Sequence, residues 1–235
     1  MGEIVDTDMR AEMLAEYYER VQWAVRPTTA SMRQHELSEE LPVNMGPIQW
    51  TELKGAAMHL KNNRASGVDD LPGEFWRLIL IPGSKLALWA LDFCQTCWQQ
   101  RQVPSQWHLA RVSAIFKGGD PAECNNYHPI SLLSVAYKMF AHILLERLKA
   151  AGAENRIRRT QYGFKSKSST TDALFVTRRV MDAAWAAKDG SLLLLALDWS
   201  KAFDCICPGK LMIALRRFGL PPGFIQMVEG IYNDK

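Results

Sequence analysis

The chain has 235 residues, 48% of them hydrophobic, with 28 Lys and Arg against 25 Asp and Glu and a formal net charge of +3. It is long and apolar enough to bury a sizeable core, which excludes a disordered or fibrous chain. The charge is uneven: 10 basic residues face 14 acidic ones over 1–110, a net −4, while 18 face 11 over 111–235, a net +7.

In chain order, Met9, Met13, Leu14, Tyr17, Val21 and Val25 recur at helical spacing and predict a helix over 8–25. Pro27 ends it, and the polar stretch to Glu40, with Leu41-Pro42 and Gly46-Pro47 after it, reads as a linker. Residues 1–46 are thus expected to precede the main domain, 47–235. Helices follow over 50–61, 75–80 and 85–102, broken at Pro82-Gly83. A strand over 110–116 delivers Lys117 to its end, and helices are expected over 131–151, 172–187, 210–218 and 224–232. The run 191–197, short, continuous and apolar after Asp189-Gly190, reads as a buried strand. The chain is expected to be α+β and mostly helical.

Cysteines 94, 97, 124, 205 and 207 are odd in number and lack a disulfide framework, which points to a reducing, intracellular setting, nucleus or cytoplasm. Cys94 and Cys97 have the spacing of half a zinc site, but no second pair accompanies them, so buried packing is the simpler reading. The acidic N-terminus lacks the apolar core of a secretory signal, and no apolar run approaches the ~20 residues of a membrane span. Met1-Gly2 is no myristoylation signal, because Asp6 stands where Ser or Thr is wanted. No membrane partner is expected.

Chemistry concentrates in Asp198-Trp199-Ser200-Lys201-Ala202-Phe203-Asp204. A carboxylate at the exit of a strand can reach a divalent cation, and nucleotidyl transfer commonly uses two of them. Phe203, five residues on, is placed to bear on a sugar. The competing reading makes Asp198 an N-cap that accepts a backbone N–H. Upstream, Arg147, Lys149, Arg156, Arg158, Arg159, Lys165 and Lys167 form a basic cluster opposed only by Glu154. It reads either as a track for a phosphate backbone or as a solvated helix end and loop.

These residues resemble the reverse transcriptases of LINE-type (non-LTR) retrotransposons. Asp198 to Asp204 is similar to that family's motif A, and four further segments match in order. Asn62-Asn63-Arg64-Ala65-Ser66-Gly67-Val68-Asp69-Asp70 resembles the segment with Lys-Ala-Pro-Gly-Pro-Asp-Gly, and Ile115-Phe116-Lys117-Gly118-Gly119-Asp120-Pro121 leads into Asn126-Tyr127-His128-Pro129-Ile130-Ser131-Leu132-Leu133, similar to Asn-Tyr-Arg-Pro-Ile-Ser-Leu-Leu. Gln161-Tyr162-Gly163-Phe164-Lys165 and Ser168-Ser169-Thr170-Thr171-Asp172 match Gln-x-Gly-Phe-Arg and Arg-Ser-Thr-x-Asp. The resemblance covers most of the chain from Leu14 and is firmest over 111–232. A group II intron maturase shares the fingers logic, but Lys-Ala-Phe-Asp and Asn-Tyr-x-Pro-Ile-Ser-Leu-Leu lean to the LINE side.

The resemblance implies a right-hand polymerase fold, fingers plus the first part of the palm, and an RNA-directed DNA polymerase using Mg²⁺, deoxynucleoside triphosphates, an RNA template and a DNA primer. It assigns Asp198 to metal and catalysis, Phe203 to the gate against a ribose 2′-hydroxyl, and Lys117 and His128 to the triphosphate. Gln161, Gly163, Phe164 and Lys165 would lie along the template, with Arg156, Arg158 and Arg159 on the nucleic acid. Asp204 reads instead as an N-cap or a local structural hydrogen bond.

Three departures qualify the match. His128 replaces an Arg and has neither its fork of donors nor its permanent charge. Asp70 replaces a Gly and would be strained where Gly takes a positive φ. The Gln-Gly and Tyr-x-Asp-Asp segments that follow motif A do not occur, so the expectation is an N-terminal part of the domain that does not polymerise alone. The strand 191–197 would then expose an apolar edge prone to aggregation. The alternatives are a nucleic-acid-binding module without catalysis and an inert relic of a decayed transposon.

Overall fold

The computed structural model describes residues 7–24, 38–81, 83–199 and 202–232. Val25, Pro27, most of the polar stretch after it, Pro82, Ser200 and Lys201 lie outside them.

Among the described residues, eight α-helices and one hairpin run in the order α1 (Thr7–Tyr17), α2 (Trp50–Met58), α3 (Gly73–Trp76), α4 (Lys85–Gln100), β1 (Arg111–Phe116), β2 (Tyr127–Leu132), α5 (Val135–Ala150), α6 (Thr170–Ala186), α7 (Pro208–Phe218) and α8 (Pro222–Tyr232). The chain is α+β and mostly helical, as the sequence predicts. The first helix passes into a π-helical turn, Tyr18–Gln22, and α3 continues as a 3₁₀ turn, Arg77–Leu80.

Local signals explain the helix starts. The Ser84 hydroxyl accepts from the Ala87 N–H at 3.1 Å, and the Ser134 hydroxyl from that of Tyr137 at 3.4 Å. At α6, Ser169 and Asp172 form a reciprocal capping box. Gly219 ends α7 at φ +92, a conformation that favours glycine.

The core gathers the inner stripes of α2, α4, α5 and α8. Ala87, Ala90, Cys94, Cys97 and Trp98 are buried on α4, and Val135, Met139, Phe140, Ile143 and Leu144 on α5. Cys94 and Cys97 are therefore packing residues, as expected, and burial pushes the Cys94 thiol up to about 12.

Three expectations change. The stretch read as a linker contributes to the core from Leu41 on: Leu41 and Val43 are buried, and the Leu41 N–H donates to the Gly219 carbonyl at 2.7 Å. A second strand, β2, occupies part of the segment assigned to the long helix, so that helix starts only at Val135. The run 191–197 is not a buried strand. It is irregular and exposed, Leu193 being 95% accessible. The hairpin is the one sheet among the described residues, which leaves this run without a partner for its N–H and C=O groups.

Arg147 ties the layers together. Its Nε and one terminal nitrogen donate to Glu52 at 2.6 and 2.8 Å, the other to the carbonyls of Asn44 and Gly46, and its plane lies 4.6 Å from the Trp98 ring. Glu52 balances two influences. Burial raises its carboxyl, but the Arg147 hydrogen bond, the Gln49 N–H and the Arg147 charge outweigh this and hold it below the ordinary range.

Candidate nucleic-acid and nucleotide site

The antiparallel hairpin fixes the first part of the site. Its register pairs Ile115 with His128 and Phe116 with Tyr127, and the Lys117 N–H extends the ladder by donating to the Asn126 carbonyl at 2.8 Å. Cross-strand partners share a face, as do residues two apart. Lys117 and His128 are therefore diagonal neighbours on one exposed face at the loop end of the hairpin.

Arg111 stands on the same face at the other end, opposite Leu132. Its guanidinium donates to Asp70 at 2.8 Å, and that bond and charge hold the Asp70 carboxyl below its usual range. Asp70 does take a positive φ, +53, as its place in the turn predicts. Reasoning from the motifs missed Arg111; the alternation Arg111, Ser113, Ile115, Lys117 was the signal that could have found it.

Gly67 joins two of the matched segments. An added Cβ there would collide with the Ser134 nitrogen and lie 2.6 Å from the Leu133 carbonyl carbon, so Gly67, where the turn to Asp70 begins, rests directly on the backbone that starts α5. Since β2 ends at Leu132, this contact fixes the root of the hairpin.

The second part of the site lies around the turn before α6. Phe164, at φ +57 and 90% exposed, meets Phe203 edge to face, with ring centroids 5.8 Å apart at 87°. The Gln161 amide donates to the Gly163 carbonyl at 3.4 Å, and Lys165 is half-buried beside Phe164. A residue expected along the template thus touches the one expected beside the sugar.

The basic cluster is smaller than its sequence suggests. Arg147 is a buried partner of Glu52, Lys149 pairs with Glu146 at 2.8 Å, and Arg156 donates to the Phe218 carbonyl at 2.6 Å, closing the C-terminus of α7. Arg156 is thus engaged by the fold instead of reaching towards a ligand. Arg158, Arg159 and Lys167 remain exposed, with Lys165 beside them.

Asp198 is exposed on the irregular run, and no interaction joins it to the hairpin residues among those described. No group of three His, Cys, Asp or Glu among the described residues could hold a metal ion. Asp204 accepts a hydrogen bond at 2.9 Å from the amide of Gln22, a long-range bond across 182 positions instead of the N-cap or local bond expected.

Comparison with known proteins fits this arrangement. Residues 115–233 match the family described as reverse transcriptase (RNA-dependent DNA polymerase). The chain is 28% identical over 190 residues to an uncharacterized 149 kDa protein of transposon TX1 from Xenopus laevis, covering 79% of this chain and 14% of that protein. It is 28% identical over 202 residues to a probable RNA-directed DNA polymerase from transposon BS of Drosophila melanogaster, covering 85% and 21%. A third relative, the RNA-directed DNA polymerase from the mobile element jockey of the same fly, is 27% identical over 201 residues, covering 83% and 21%. The chain thus spans between about a seventh and a fifth of the length of these relatives.

Proposed function

The chain belongs to the reverse transcriptase (RNA-dependent DNA polymerase) family, and from that premise we propose that it supplies the fingers and the opening of the palm of a LINE-type RNA-directed DNA polymerase. The observation that carries the reading is the hairpin register, which sets Lys117 and His128 side by side on one exposed face. A compact ammonium beside a ring that can donate a hydrogen bond suits the triphosphate of an incoming deoxynucleotide.

In this reading Phe203, braced by Phe164, limits the space at the sugar, and Gln161, Gly163 and Lys165 run along an RNA template. Arg158 and Arg159 follow its phosphates. Asp198 would give one oxygen ligand to Mg²⁺, which would supply charge neutralisation at the reacting phosphate.

A second reading, binding of nucleic acid without catalysis, is favoured by the exposed cations Arg158, Arg159 and Lys167. Joining the chain in frame to the rest of the palm of the jockey polymerase and following primer extension on RNA separates the two. Incorporation that disappears with Asp198→Ala supports the polymerase reading. Incorporation indifferent to that change removes Asp198 from the site, and RNA binding with no incorporation at any Mg²⁺ concentration leaves the second reading.

A further inference from the structure

A pocket of about 520 Å³ opens between the end of α2, the segment 61–73 and the first turns of α5. It lies at the root of the hairpin. Leu132 lines it from the face that carries His128 four residues earlier, a separation of about 13 Å at the rise of a strand. The pocket is therefore distinct from the Lys117 end.

Its lining has two characters. Ala56, Leu60, Leu132, Val135 and Met139 make an apolar floor. Lys61, Arg64 and Lys138 contribute cations, together with a pair of imidazoles, His59 and His142, whose centroids are 4.6 Å apart at 34°. No carboxylate is among the lining residues. Glu146, which acts on both imidazoles, is paired with Lys149.

We propose that this pocket binds a nucleotide unit, with the base on the apolar floor and the phosphate against Lys61, Arg64 and Lys138. Charge and shape argue together. An apolar ligand would cover three cations without compensating them, and a bare anion would leave the floor wet. A base linked to a phosphate satisfies both, whether it comes from single-stranded RNA or from a free nucleotide.

The imidazole pair adds a pH response. His59 Nδ1 lies 2.8 Å from the Gly55 carbonyl, which can only accept, so this nitrogen carries the proton. Burial and the neighbouring His59 hold His142 below the usual imidazole range, Glu146 opposes them and Lys149 adds to them. A bound phosphate that keeps its charge favours a protonated His142, so binding of such a phosphate tightens as pH falls.

The test uses the whole chain, the ring-proton NMR signals of its histidines, and four probes: adenosine 5′-monophosphate, adenosine, inorganic phosphate and a uridine decanucleotide. The monophosphate is expected to move the His59 and His142 signals together and to bind at least about tenfold tighter than adenosine or phosphate. Tighter binding of the decanucleotide would identify a strand as the source, and equal binding a free nucleotide. Signals that move only at His128, or not at all, overturn the proposal. Arg64→Glu with Lys138→Glu should weaken the monophosphate by about tenfold or more. Should that variant not fold, the unmodified chain still decides, because a decanucleotide affinity flat between about pH 7.5 and about pH 5.5, where its phosphodiesters keep their charge, overturns the pH response.

Discussion

Gly67 rests on the backbone of Ser134 so closely that a single added carbon would overlap the Ser134 nitrogen. Two segments 67 positions apart are thereby locked together, and the lock lies where β2 gives way to α5. Backbone cannot step aside as a flexible side chain can. Gly67→Ala is therefore expected to lower stability by about 1–3 kcal/mol, the range for overpacking. Denaturant unfolding followed by circular dichroism checks it; an unchanged midpoint would mean that the turn does not sit on α5.

The Arg147–Glu52 pair should set the acid limb of stability. Glu52 titrates lower in the folded chain than its unfolded value of about 4.3. The stabilisation is therefore fully present above that value and is lost as pH falls through the folded pKa. Glu52→Gln should flatten the pH dependence of unfolding below about pH 5. Arg147→Ala should cost about 3–5 kcal/mol, because it leaves a partly buried carboxylate without its partner.

Arg147 also shows where sequence reading stops. In the sequence it is one basic residue in a run of seven, and nothing local says that its partner lies 95 residues upstream. Helices were legible because their caps and stripes are local, as with Ser84, Ser134 and the capping box of Ser169 and Asp172. The strand β2 was hidden because Pro129 and a polar start weaken its alternation, and its pairing with β1 supplies what propensity does not. Composition made 191–197 a strand, but a strand exists only with a partner. The motifs named candidate residues one by one, but the meeting of Phe164 with Phe203 was not legible in them.

His128→Arg offers a gain-of-binding test. A guanidinium at the position paired with Ile115 would share the face with Lys117 and add a bidentate, permanently charged donor. Deoxynucleoside triphosphate affinity, measured by calorimetry with Mg²⁺, should rise about tenfold, and Lys117→Ala should abolish the gain. No change in affinity would remove the hairpin face from the triphosphate site.

The reduced basic cluster predicts a difference between neighbouring arginines. Replacing Arg158, Arg159, Lys165 and Lys167 with Ala should lower the salt slope of RNA binding by about 3, at roughly 0.7 per phosphate contact on a single strand. Arg156→Ala should leave that slope alone and lower the melting temperature instead, because its guanidinium holds the Phe218 carbonyl. The reverse pattern would restore Arg156 to the nucleic-acid surface.

Exposure of the run 191–197 makes the last prediction. Leu193, Leu195 and Leu197 are 95%, 75% and 77% accessible, and Trp199 after them 81%. An apolar, β-prone stretch with unpaired backbone groups templates association between chains. Leu193→Thr with Leu195→Thr should therefore reduce aggregation, measured by light scattering at a fixed concentration. The unfolding free energy should move by no more than about 0.5 kcal/mol, since neither side chain packs on the core. A large loss of stability would show instead that these leucines are buried in solution, as a strand with a partner requires.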